Sequence, residues 1–142
     1  MNPTIEKFGY PDTLLRDFRH WVVLVRQSQV TLGSLVLAAK GDATEFSALP
    51  VEAFSELHEV VVSCEAALST FTHFEKINYL MLMMVDPNVH FHVFPRYSEP
   101  RSWNGLEFAD AGWPGPPALK SAIDLTDAQI GEMVTDLTTN FR

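Results

Sequence analysis

Asn88-Val89-His90-Phe91-His92-Val93-Phe94-Pro95-Arg96 is the stretch on which the reading of the chain turns. Polar and apolar residues alternate strictly from Asn88 to Val93, and successive side chains in a strand point to opposite faces. Asn88, His90 and His92 are therefore expected on one face. Val89, Phe91 and Val93 take the other and hold the strand against a core. Two imidazoles two residues apart on a rigid strand set a nucleophile or ligand beside a second proton donor, both titrating near neutral pH. From the residues alone, two readings stay open beside this chemistry. The histidines could tile an exposed sheet surface, or they could be two ligands of a metal site. No further ligand completes a metal set: Cys64 falls in a buried pattern, His20, His58 and His73 lie on other elements, and the nearest downstream acid is Glu99.

Upstream, Ile77 to Val85 is a nearly unbroken apolar run ahead of Asp86-Pro87, which predicts a strand covered on both faces with Met81 to Met84 as flexible core filler. Before it, Pro50 opens a helical pattern in which Val51, Phe54, Leu57, Val61, Cys64, Leu68 and Phe71 recur at steps of three and four. Glu52, Glu56, Glu59 and Glu65 are expected on the wet side of this long helix. Trp21 to Arg26 and Ser34 to Lys40 predict a hairpin with a wide loop. Ahead of them, Asp12 or Thr13 is expected to cap a short helix carrying Leu14, Leu15 and Phe18.

Downstream, residues 97–120 hold Trp-Pro-Gly-Pro-Pro at 113–117 and are expected to form a long shaped loop. Thr126 and Gln129 have capping-box spacing, which predicts a C-terminal helix within 124–140 carrying Ile130, Met133, Val134 and Leu137. The order points to one α+β domain over 1–142, its core about 12–100, with a mostly antiparallel sheet.

Bulk properties narrow the function. The 142 residues fit one domain, and 46% hydrophobic with 20% charged residues is ordinary for a globular protein. A net charge of −8 repels nucleic acid and anionic membranes, so any phosphate site must be built locally. One cysteine permits no intrachain disulfide, which fits a reducing cytoplasm. No apolar run reaches the ~18 residues needed to span a bilayer, and no export signal is expected.

The stretch from Val85 to Tyr97 resembles the signature of the histidine triad family, His-φ-His-φ-His-φ-φ with φ apolar. Asn88, His90 and His92 fall on its first, middle and last triad positions. Trp21 to Arg26, then Leu32-Gly33-Ser34-Leu35-Val36-Leu37, resembles the family's nucleotide-binding hairpin, so the likeness runs over about residues 15–100. The run before Asp86-Pro87 and the Trp-Pro-Gly-Pro-Pro segment are similar to bacterial members described as diadenosine-tetraphosphate-hydrolase-like.

The resemblance implies the family's α+β fold, commonly a homodimer, and no obligatory metal or other cofactor. It implies attack by His90 on the α-phosphorus of a dinucleoside polyphosphate or related nucleoside phosphate conjugate, with a nucleotidyl-histidine resolved by water or another acceptor. His92 would bond the phosphate oxygens. Arg26 and Ser34 of the hairpin, with Arg96 and Arg101 after the triad, are the expected nucleotide and phosphate contacts. Two departures mark a degenerate triad: Asn88 replaces the first histidine and Ser34 a hairpin histidine, and neither can become cationic. The alternative is a catalytically weakened nucleotide-binding or sensing module.

Overall fold

The computed structural model describes residues 1–141. Its centre is a five-stranded antiparallel sheet in the order β1-β2-β4-β6-β5. The strands are β1 (Leu14–Asp17), β2 (Trp21–Val25), β4 (Leu35–Ala39), β5 (Lys76–Leu80) and β6 (His90–Arg96). Two-residue strands β3 (Ser28–Gln29) and β9 (Ile123–Asp124) pair beside it. A small hairpin joins β7 (Arg101–Trp103) to β8 (Leu106–Phe108).

One face carries the main core. Trp21, Val23, Val25, Leu35, Leu37 and Val93 pack under α2 (Val51–Thr72) and α3 (Asp127–Thr138). The other face carries Val22, Leu24, Val36 and Ala38, which are buried together with Ile5 of α1 (Pro3–Lys7) under Phe8, Tyr10 and Leu14. β2 and β4 are apolar at every position because each is clad on both sides. This second face, continued by His90 and His92, holds the candidate site, since Ala38 pairs with His90 and Val36 with His92.

The hairpin, α2, β6 and α3 form where the sequence places them, and Thr126 and Gln129 make the expected reciprocal capping box. Four expectations are corrected. Residues 14–17 are a strand, not a helix: Thr13 donates to the Phe8 carbonyl instead of capping, and Leu14–Asp17 ladder onto β2 with Leu15 buried. The run from Ile77 stops being a strand at Leu80, and β5 is a half-buried edge strand. Met81 and Met83 are half-buried against the main core as filler, but Leu82, Met84 and Val85 are 48%, 87% and 82% exposed, so the run fills the core at alternate positions only.

The third correction concerns α2, which is rotated from the expected face. Ala53, Val60 and Ala67 meet the sheet beside Cys64 and Leu68, while Val51 and Phe54 are exposed. Small residues let the helix approach closely, and alanine carries too little hydrophobic signal to steer a pattern reading. Two acids of its wet side have partners as well. Glu56 accepts from the backbone amides of Arg19 and His20, and Glu65 accepts from the Tyr79 hydroxyl. Finally, the 97–120 loop contains the β7–β8 hairpin.

Candidate active site

β6 enters the site from the Asp86-Pro87-Asn88-Val89 segment, and its polar row faces α1 rather than solvent. His90 is 1% and His92 8% exposed, which removes the reading of histidines tiling an open surface. Their rings lie edge to face with centroids 5.0 Å apart. Phe8, at the C-terminal end of α1, stands 5.6 Å from His90 and 5.7 Å from His92. Gly9 turns the chain directly behind it at φ +88, where a Cβ would come within 2.7 Å of the Thr13 methyl.

The partners of the two imidazoles dictate their protons. His90 Nδ1 lies 2.7 Å from the Asn88 carbonyl oxygen. A carbonyl can only accept, so Nδ1 carries a proton, and in the neutral ring it is Nε2 that keeps the lone pair. His92 is the reverse case: its Nδ1 accepts from Arg26 Nε at 3.2 Å. Nε of arginine always bears hydrogen, so a neutral His92 has its proton on Nε2. Burial first, then the charges of Arg26 and His90, push His92 down to about 4, against a smaller upward pull from Asp86. His92 is thus a neutral N–H donor at physiological pH.

Asn88 does not aim its amide at His90. Its Oδ1 accepts from Thr4 Oγ1 at 3.0 Å, its backbone N–H donates to the same hydroxyl at 3.2 Å, and Nδ2 reaches the Asp42 carbonyl at 3.4 Å. It joins α1 to the start of β6, while the contact to His90 comes from its main chain. Ser34 is fully buried in its own turn, where Oγ donates to the Thr31 carbonyl and accepts from the Thr31 amide. Arg26 alone of the four expected phosphate contacts touches the histidines. Its guanidinium also lies over Phe94, whose ring is parallel to His92.

The other two arginines are spent on architecture. Arg96 is 3% exposed; it grips Asp110 through Nε and Nη2, Asn78 through Nη1, and the Gly115 carbonyl through Nη2. It staples the Trp113-Pro114-Gly115-Pro116 segment against the end of β6. Arg101 donates to the Thr72 and His73 carbonyls at the C-terminus of α2, where a cation satisfies orphan acceptors. Lys40, at the end of the second hairpin stretch, pairs with Asp17. Among the described residues no group of three or more His, Cys, Asp or Glu is placed to hold a metal ion.

Sequence reasoning missed Thr4 and Phe8 entirely. A signal was present in Asn2-Pro3, a capping residue followed by proline at the first helical position, and Asn2 Oδ1 does accept from the Ile5 amide. Asp110 carried no signal, because its role depends on a partner fourteen residues away.

A five-stranded antiparallel sheet with one long helix, a C-terminal helix and two alternate histidines on the face opposite them is the histidine triad fold. Solved structures align over nearly the whole chain. A histidine triad protein from Bradyrhizobium japonicum matches with a TM-score of 0.75 at 18% identity, covering 100% of this chain and 97% of that one. One from Sinorhizobium meliloti gives 0.73 at 19% identity, covering 99% and 96%. A hypothetical histidine triad nucleotide-binding protein from Sulfolobus tokodaii gives 0.64 at 13%, covering 96% and 90%. By sequence, no family model and no curated protein matches. No helix of the described residues is long and apolar enough to cross a membrane.

Proposed function

We propose that the chain is a histidine triad enzyme that cleaves a nucleotide at its α-phosphate through a nucleotidyl intermediate on His90, with dinucleoside polyphosphates or related conjugates as substrates. The observation that carries this reading is the pairing of opposite tautomers. The Asn88 carbonyl holds a proton on His90 Nδ1 and leaves Nε2 nucleophilic, while Arg26 leaves the Nε2 proton of His92 for donation. A nucleophile beside a neutral donor is what in-line attack on a phosphorus bearing negative oxygens requires.

In the first step His90 Nε2 bonds to phosphorus as the bond to the leaving oxygen breaks, and the leaving group departs with the electron pair. The imidazole becomes cationic, so its Nδ1–H bond to the Asn88 carbonyl strengthens as charge develops. His92 donates to the phosphate oxygens throughout. Water then attacks phosphorus, the N–P bond breaks, and the water's proton passes to solvent. No step routes through a metal or other cofactor. The nucleotide-binding description of the Sulfolobus protein that shares the fold is in keeping with a nucleotide substrate. The free edge of β5 and the outer aromatic patch of Phe46, Phe54 and Phe91 suit a homodimer. The single buried thiol suits the cytoplasm.

One observation favours a second reading, a binding module without turnover: His90 is 1% exposed beneath Phe8. Turnover separates the two. Purified protein incubated with diadenosine tetraphosphate and with an adenosine phosphoramidate should release AMP, and His90→Ala should abolish the release. Nucleotide binding with no release by the wild type would establish the module instead.

A further inference from the structure

Arg26 sits at the end of β2, one residue beyond the strand, and it meets the site without facing the nucleophile. Nε donates to His92 Nδ1 at 3.2 Å, Nη1 donates to the Ser28 carbonyl at 2.7 Å, and the guanidinium plane rests 5.6 Å over the Phe94 ring. Phe94 in turn lies parallel to His92 at an interplanar angle of 3°. The imidazole is therefore held from its Nδ1 side by a planar donor whose own position is set by a carbonyl and an aromatic ring. Charged and titratable groups reach His92 from each neighbouring element: Arg26 from the hairpin, His90 from its own strand, and Asp86 from the segment before β6. Asp86 is itself paired with Lys7 of α1, and Asp124 of β9 acts on Arg26.

We propose that Arg26 is a positioning residue that acts through His92: its Nε–H occupies Nδ1, commits the imidazole to the Nε2–H tautomer, and so aims one donor at the phosphate. The inference rests on the nucleotidyl-transfer reading and departs from the simpler role of Arg26 as a direct phosphate contact. It also gives the degenerate triad a source of positive charge. Asn88 and Ser34 cannot ionise, whereas the guanidinium is a permanent cation one hydrogen bond from the donor imidazole. A ring held by a cation on one nitrogen resists protonation there, so His92 stays neutral in a single tautomer at acid pH where a free imidazole would have become imidazolium.

The test follows the histidine ring nitrogens by long-range ¹H–¹⁵N correlation in the labelled protein, with no substrate present. In the wild type, His92 should be neutral at pH 7 with the proton on Nε2. In Arg26→Met, which keeps the length of the side chain and removes the donor, both tautomers should appear. The midpoint of His92 should also rise by about one pH unit or more toward its ordinary value near 6.5. In turnover assays the same variant should lose kcat by about tenfold or more with little change in KM, as expected when an interaction made in the transition state is weakened. The acid limb of its pH profile should move upward.

A wild-type His92 protonated on Nδ1 overturns the inference without reference to any variant, as does an unchanged tautomer and midpoint in a folded Arg26→Met. A KM effect with kcat intact returns Arg26 to direct substrate contact. Absence of turnover with the predicted tautomer in place would instead overturn the proposed function and leave the Arg26–His92 relationship standing.

Discussion

Phe8 stands 5.6 Å from His90, and this one aromatic contact joins the end of the first helix to the proposed nucleophile. The ring also reaches His92, so a single side chain shields both imidazoles. Removing it should open the site. In Phe8→Ala, modification of His90 by diethyl pyrocarbonate, mapped by mass spectrometry, is expected to accelerate several-fold, because the reagent needs an accessible unprotonated nitrogen. An unchanged rate would mean that the site opens by another route.

Arg96 and Asp110 form a pair whose side chains are 4% and 1% exposed. Removing one partner leaves a buried charge, which costs about 3–5 kcal/mol. Arg96→Met should show that loss in urea unfolding while its nucleotide affinity, measured at a temperature where the variant is folded, stays within a few-fold of the wild type. A large affinity loss without destabilisation would restore Arg96 as a phosphate contact.

Asn88 separates side chain from main chain. Asn88→Ala deletes the bonds to Thr4 and Asp42, and each buried polar group left unpaired costs about 1–3 kcal/mol. The carbonyl that orients His90 remains. Thermal unfolding should therefore report a clear destabilisation, while kcat falls far less than in His90→Ala. Equal losses of kcat in the two variants would place the Asn88 amide in the chemical step.

The low midpoint of His92, about 4, has a consequence for stability. In the unfolded chain the same imidazole takes up its proton near 6.5, so between those values the unfolded state binds more protons and stability rises with pH. The contribution is fully present above about 6.5 and is lost as pH falls toward 4, amounting to at most about 3 kcal/mol. Urea midpoints measured across this window should fall with acid in the wild type and fall less steeply in His92→Gln. Parallel slopes would show that other groups govern the acid limb.

The parts of the fold that were legible in the sequence are those whose signals are local. β6 announces itself by alternation, β2 and β4 by apolar runs separated by polar loop residues, and α3 by the Thr126–Gln129 box. The failures have physical causes as well. Leu14–Asp17 carries a plausible helix cap, and only its ladder with β2 decides for strand. Met81 to Val85 reads as core throughout because hydrophobicity was the only signal, yet beyond the edge strand β5 only Met81 and Met83 turn onto the core, and Leu82, Met84 and Val85 are left exposed.

The site divides in the same way. His90 and His92 follow from spacing on one strand. Arg96 and Arg101 were plausible by proximity alone, but a guanidinium binds whatever acceptors the fold supplies, and here those are Asp110 and the last carbonyls of α2. The cover formed by Thr4 and Phe8 was illegible because their contacts, Thr4 to Asn88 and Phe8 to both histidines, cross more than eighty residues of sequence.

The central claim is that His90 Nε2 forms a bond to phosphorus. It is tested most directly by quenching the protein during turnover of diadenosine tetraphosphate at alkaline pH, where phosphoramidates survive, and locating any nucleotidyl group by tandem mass spectrometry of its peptides. An adenylyl group on His90, absent from His90→Ala and chased away by excess unlabelled acceptor, is the predicted result. Turnover that proceeds with the adduct on another residue, or that persists in His90→Ala, would contradict the account.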